Sequence, residues 1–140
     1  MKQSFLLLAT VLLSSLLAAQ KMNTWKGGMP GQENNWHCAK NWSNGHVPTV
    51  FECVVIPDVS TGSGHYPVIS SEAGEIYALR ILSGANLLIR PKGRLSLSDP
   101  SELPDALLNL GELNGKGVLY FRYNNSPAAN MADAGILLQP

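Results

Sequence analysis

Three apolar pairs recur every eight residues between Leu79 and Ser98: Leu79 with Ile81, Leu87 with Ile89, and Leu95 with Leu97. Within each pair the spacing is two, the period of a strand with one buried face. Gly84, Pro91 and Gly93 lie between the pairs, and such residues destabilise a helix interior. The recurrence therefore predicts short strands joined by tight turns. Neither connection, Ser83 to Asn86 nor Pro91 to Arg94, carries the Asn-Gly or Asp-Gly pair that closes a two-residue hairpin. An antiparallel meander is thus the weaker alternative, and a small sandwich stays open. The expected fold is all-β, a short right-handed parallel β-helix (β-solenoid) in which equivalent residues stack from coil to coil. The six apolar residues should face inward, with Arg80, Leu88, Arg90, Ser96 and Ser98 facing out.

The first residues stand apart from that pattern. Met1–Ser4 carries one positive charge, Phe5–Leu17 is apolar or small throughout, and Leu17-Ala18-Ala19 before Gln20 supplies a cleavage site. Residues 1–19 read as a secretory signal peptide. The run is short for a membrane span, and no second stretch of spanning length follows. The expected address is secreted or cell surface, with a mature chain of about 120 residues, enough for one domain with a modest core. Once Lys2 is removed, nine Lys and Arg face ten Asp and Glu. No basic patch points to nucleic acid.

Residues 20–53 differ in composition from the coils expected over 54–123 and the tail at 124–140. All three tryptophans (Trp25, Trp36, Trp42) and both cysteines fall there, among many Asn and Gly. The expected role is an N-terminal cap, because a first coil otherwise exposes an apolar end and unpaired backbone groups. In an exported chain, Cys38 and Cys53 predict a disulfide, closing a loop of about 15 residues and contributing about 3 kcal/mol.

Within the coils, Cys53–Pro57 and Tyr66–Ser70 read as the first two core strands, with a Gly- and Ser-rich loop between them. Ile76 and Leu79 break parity, which a corner at Tyr77-Ala78 explains. The two prolines of Asp99–Asp105 exclude a paired interior strand there and predict an outward loop. The strand pattern resumes over Ala106–Leu110, Leu113 and Val118–Tyr123. In the tail, only Ile136-Leu137-Leu138 offers an apolar run to cover the last coil. Without that cover, the end would favour self-association.

Candidate chemistry is sparse. His37, Cys38, His46, Cys53 and His65 match no compact zinc spacing, so no metal and no cofactor is expected. Asp58, Asp99, Asp105 and Asp133 are widely spaced, and Gly62-Ser63-Gly64 lacks the strand-to-helix setting of a nucleophile elbow. Trp25, Trp36 and Trp42 could stack a pyranose, with Asn41 and its neighbours Asn34, Asn35 and Asn44 as hydrogen-bonding partners. Tryptophan is as readily the filling of a small cap, and loop asparagine commonly satisfies its own backbone.

Several motifs fall in a characteristic order: Thr24-Trp25-Lys26-Gly27, Asn35-Trp36, Asn41-Trp42, Val47-Pro48-Thr49, Val54–Pro57, Tyr66–Ile69 and the Leu-x-Ile-x-x-Gly-Ala-x-Leu run from Leu79. Together they resemble a recurring segment of large secreted proteins of Bacteroidota, surface or adhesin-like proteins with parallel β-helix regions. The resemblance spans roughly Thr24 to Tyr120. It implies the β-helix and an extracellular address, and it carries no catalytic residues. Such proteins run longer and often end in a C-terminal sorting domain, and the cysteine pair is not part of the pattern. The chain is expected either as a small complete protein or as the front of a larger one. The expected function is a non-catalytic structural or adhesive module at the cell surface, not an enzyme, with a surface or matrix polysaccharide as partner. The alternative is a carbohydrate-binding module working through the cap tryptophans.

Overall fold

The computed structural model describes residues 21–98, 107–121 and, along the backbone, 134–137. The expected signal peptide, the outward loop at 99–105 and most of the tail lie outside the described residues. Apart from a single 3-10 turn at Ala39–Asn41, the regular elements are strands. They are β1 (Lys21–Thr24), β2 (Glu52–Ile56), β3 (Val68–Ile69), β4 (Glu72–Ile76), β5 (Ala78–Ile81) and β6 (Asn86–Ile89), followed by β7 (Arg94–Leu97), β8 (Leu107–Asn109), β9 (Glu112–Gly115), β10 (Val118–Phe121) and β11 (Ala134–Leu137).

These strands form three short sheets. Sheet 1 has the order β1-β2-β5-β8, sheet 2 has β3-β6-β9, and sheet 3 has β4-β7-β10-β11. Every pairing is parallel except β10 with β11. From β2 onward the chain visits sheets 1, 2 and 3 in that order three times. The eight-residue units thus separate, β5 to sheet 1, β6 to sheet 2 and β7 to sheet 3.

Register carries the apolar pattern from strand to strand. Val54 pairs with Leu79 and Leu79 with Leu107, Ile69 pairs with Ile89, and Leu95 pairs with Leu119. Leu79, Ile81, Leu87, Ile89, Leu95 and Leu97 are all buried in one cluster with Val54, Ile56, Ile69, Ile76, Leu119 and Phe121. Each such side chain contributes about 1.5–3 kcal/mol by leaving water. On the opposite parity Arg80 and Arg90 are exposed, and Leu88 and Ser96 are half-buried. Ser98 departs from the expected outward placement. It is buried, and both its N–H and its Oγ donate to the Ile76 carbonyl at the end of β4, at 2.9 and 3.2 Å.

The corners are tight. Tyr77 alone separates β4 from β5, and its N–H donates to the Glu52 carbonyl at 3.0 Å. Gly115, at the end of β9, has φ +119°, and a Cβ there would stand 2.0 Å from the Ile89 carbonyl oxygen. Only glycine fits this close approach.

The boundary expected at residue 53 falls inside β2, and the preceding segment itself pairs with the sheets. β1 pairs in parallel with β2 from Lys21 with Glu52 to Thr24 with Val55. Asn35 bridges Val68 of β3, and Trp25 bridges Trp42. Glu52, buried at 2% exposure, ties down the loop above it. Its Oε1 accepts from Asn44 Nδ2 at 3.0 Å and lies 3.4 Å from His46 Nε2, and its Oε2 accepts from the Thr49 N–H at 3.0 Å. At the other end, β11 runs antiparallel along β10, Val118 opposite Leu137 and Phe121 opposite Ala134.

The expected disulfide is not formed: Cys38 and Cys53 are not bonded to one another. Their positions explain why. Val54 and Ile56 enter the core, so alternation turns Cys53 to the outer side of sheet 1, where it pairs in register with Met22 and Ala78. Cys38 instead precedes the 3-10 turn, next to His37, whose Nε2 lies 3.2 Å from Ser71 Oγ at the passage from sheet 2 to sheet 3.

Candidate functional site

The tryptophans that could have stacked a sugar form the core of the N-terminal end. Trp25, Trp36 and Trp42 are 1%, 0% and 0% exposed, so none offers a face to solvent. Trp42 lies between the other two, with centroids 4.9 Å from Trp25 and 4.8 Å from Trp36 and ring planes at 79° and 77°. These are edge-to-face contacts, the arrangement aromatic quadrupoles favour. Trp25 Nε1 donates to the His65 carbonyl at 2.7 Å and Trp42 Nε1 to the Trp36 carbonyl at 2.8 Å. Asn41 is equally committed. Its Oδ1 accepts from the Met29 N–H at 2.9 Å, and its Nδ2 donates to the carbonyls of Gln32 and Asn35 at 2.6 and 3.1 Å. Burial removes these four residues as a glycan platform: no ring face is exposed, and the Asn41 amide is committed to backbone partners. The Trp36 Nε1 is itself buried, without a hydrogen-bond partner among the described residues.

The histidines and cysteines are likewise dispersed. His46 faces Glu52, His37 faces Ser71, and the His65 carbonyl serves Trp25. Among the described residues, no three His, Cys, Asp or Glu side chains come together to hold a metal ion.

A well-formed concavity lies elsewhere, on the outer face of sheet 2. It is a groove of about 620 Å³, within the range of small-molecule sites. Val68 and Leu88, register partners on β3 and β6, give it a half-buried apolar floor. Asn86 and Glu112, register partners on β6 and β9, stand beside that floor. Asn86 Nδ2 donates to Glu112 Oε2 at 2.9 Å, and Asn114 Nδ2 reaches the same oxygen at 3.2 Å. Asn34 comes from the N-terminal segment and donates through Nδ2 to the Tyr66 carbonyl at 2.7 Å.

One wall is built by Tyr66. Its hydroxyl donates to Asp58 Oδ1 at 2.5 Å and lies 3.1 Å from the Gly84 carbonyl oxygen. Gly84 has φ +80°, and a Cβ there would meet Asp58 Oδ2 at 2.7 Å, so a larger residue would push this wall apart. The hydrogen bond from Tyr66, with others from Ser60, holds the Asp58 carboxyl down at about 2. The same bond, with some burial, raises the Tyr66 hydroxyl above its ordinary value. The hydrogen bond between this carboxylate and phenol positions the wall.

Of the candidate ligand-binding residues singled out from sequence, Asn34 alone lines this groove among the described residues. Tyr66, Asn86 and Glu112 lie 20 and 26 residues apart along the chain, and only stacking of one strand on the next brings them side by side. The available signal was polar residues on the outward parity of apolar strands, Asn86 beside Leu87 and Glu112 beside Leu113.

Residues 24–109 match the family model described as a Domain of unknown function (DUF8693), more than half of the chain. The chain belongs to the DUF8693 family. The DUF8693 segment runs from the end of β1 to the end of β8, so it holds the tryptophan cluster, the Asp58–Tyr66 wall and the groove floor. Glu112 and Asn114, on β9, lie beyond the DUF8693 match. No curated protein and no solved structure matches this DUF8693 chain.

Proposed function

We propose that this DUF8693 chain is a non-catalytic structural or adhesive module, exported and displayed at the cell surface, whose sheets form a short right-handed β-solenoid. One observation carries this reading: the chain returns to the same three sheets in the same order three times, with apolar residues in register between successive passes. An architecture of that kind grows by adding layers and presents long flat faces, which suits reach and display. The right hand follows from strand twist, which favours right-handed crossovers between parallel strands. The apolar N-terminal run supports export.

Labelling of intact producing cells with a membrane-impermeant amine reagent tests this reading, followed by an attachment assay on cells lacking the gene. The expected result is labelling at exposed Lys26 or Lys40 and weakened attachment. A chain found only inside the cell, or unlabelled on intact cells, would overturn it.

A further inference from the structure

We propose that the groove on the outer face of sheet 2 binds a neutral oligosaccharide, seated on Val68 and Leu88 and hydrogen-bonded by Asn34, Asn86 and Glu112. This rests on reading the chain as a non-catalytic adhesive module and names the ligand class of that module.

The floor decides the shape of the occupant. Val68 and Leu88 are adjacent in register, so their side chains form a strip about 5 Å across, the spacing between paired strands. A pyranose has an apolar C–H face of that scale with hydroxyls around its rim. The rim groups here are side-chain amides and one carboxylate, which donate and accept as vicinal hydroxyls require. Glu112 takes two amide N–H bonds on Oε2, and a sugar hydroxyl donating to its other oxygen would make a charge-assisted bond. These groups are held by each other before any ligand arrives, which lowers the ordering cost of binding.

Charge decides against other occupants. Among the described residues, Glu112 is the one charged side chain lining the groove, and the Asp58 carboxylate stands just behind the Tyr66 wall. A phosphate, a nucleic acid or a uronic-acid polymer would meet like charge here. An extended peptide seeking backbone pairing finds β6 already hydrogen-bonded on both sides, to β3 and to β9. Close backbone packing holds the edge of the groove in place. At Gly111 a Cβ would lie 2.4 Å from the Ala85 carbonyl oxygen, so the chain there passes as close to the wall as backbone can.

The test is a titration of the ¹⁵N-labelled mature chain with cello-, xylo-, manno- and laminarihexaose. Hexagalacturonate and a lysine-rich peptide serve as charged comparators. The expected result is saturable binding of at least one neutral hexasaccharide, with amide shifts at residues 66, 68, 86–88 and 110–114 and unmoved indole N–H signals. Asn86→Ala should weaken binding about tenfold at an unchanged melting temperature. Should that variant unfold, Glu112→Gln keeps the shape, removes the charge and should weaken binding likewise. Failure of every neutral hexasaccharide to bind, binding of a charged comparator alone, or shifts confined to sheets 1 and 3 would overturn the proposal. Mass spectrometry of the recovered sugar separates the two claims. Shortened chains would overturn the non-catalytic reading while leaving the groove in place, and absent binding would do the reverse.

Discussion

Trp42 donates its indole N–H to the Trp36 carbonyl at 2.8 Å while its ring meets the Trp36 ring edge-on, centroids 4.8 Å apart. One side chain thus both fills the N-terminal end of the core and satisfies the backbone of the loop that crosses it. Tryptophan emission should therefore be blue-shifted, resistant to iodide quenching and indifferent to added glycans. Trp42→Ala should cost about 3–5 kcal/mol in denaturant unfolding. A red-shifted, readily quenched spectrum would place these rings at the surface.

Neighbours on opposite faces of β6 and its turn should respond unequally to truncation. Ile89 is fully buried and Arg90 exposed. Ile89→Ala should cost about 2–5 kcal/mol and Arg90→Ala no more than about 0.5 kcal/mol. Equal losses would mean that the register is wrong. Gly115→Ala should also destabilise, by about 1–3 kcal/mol, because the added Cβ meets the Ile89 backbone and the positive φ is strained.

Acid should loosen the N-terminal end in a defined window. Burial opposes the charge of Glu52, but hydrogen bonds from Asn44 and Thr49, helped by the nearby His46, outweigh it and hold the carboxyl below its ordinary 4.5. A carboxyl lowered on folding contributes stability that is fully present above its unfolded value and lost as pH falls through the folded one. Asp58, held at about 2, acts in the same direction. Stability should therefore fall progressively from about pH 4.5 toward pH 2. Glu52→Gln should be less stable at pH 7 and show a shallower acid slope. A wild-type slope in the variant would remove Glu52 from the account.

The six inward positions of the eight-residue recurrence were readable because period-two alternation depends only on which face is dry. So was the corner at Tyr77, where Ile76 and Leu79 break parity. β1 was not, since Lys21-Met22-Asn23-Thr24 has no apolar alternation and joins sheet 1 through its backbone. Cysteine spacing said nothing about faces, and Cys38 and Cys53 belong to different ones. The groove was illegible for a similar reason. Asn86 and Glu112 become neighbours only through the register of β6 on β9, and register between strands so far apart in the chain is set by the turns and not by any local motif.

The cysteines should behave as separate thiols. The intact mass of the mature chain should not change on reduction, and two alkylations should occur in denaturant without reductant. A two-hydrogen mass increase on reduction would show a bridge, and with it a rearranged N-terminal end.

Removal of residues 131–140 should promote self-association. β11 pairs along β10, so the deletion leaves β10 as an unpaired edge of sheet 3, and such edges recruit strands from other chains. Light scattering behind size exclusion should show dimers or larger species growing with concentration. A strictly monomeric truncation would mean that β11 does not protect that edge.

The central claim is that successive passes of the chain stack in parallel, and interstrand nuclear Overhauser contacts between backbone protons test it most directly. The structure predicts parallel ladders linking Val54 with Leu79 and Leu79 with Leu107 in sheet 1, and Leu88 with both Val68 and Asn114 in sheet 2. Contacts running antiparallel between 79–81 and 87–89, and onward between 87–89 and 95–97, would instead describe a meander of hairpins and would contradict the account.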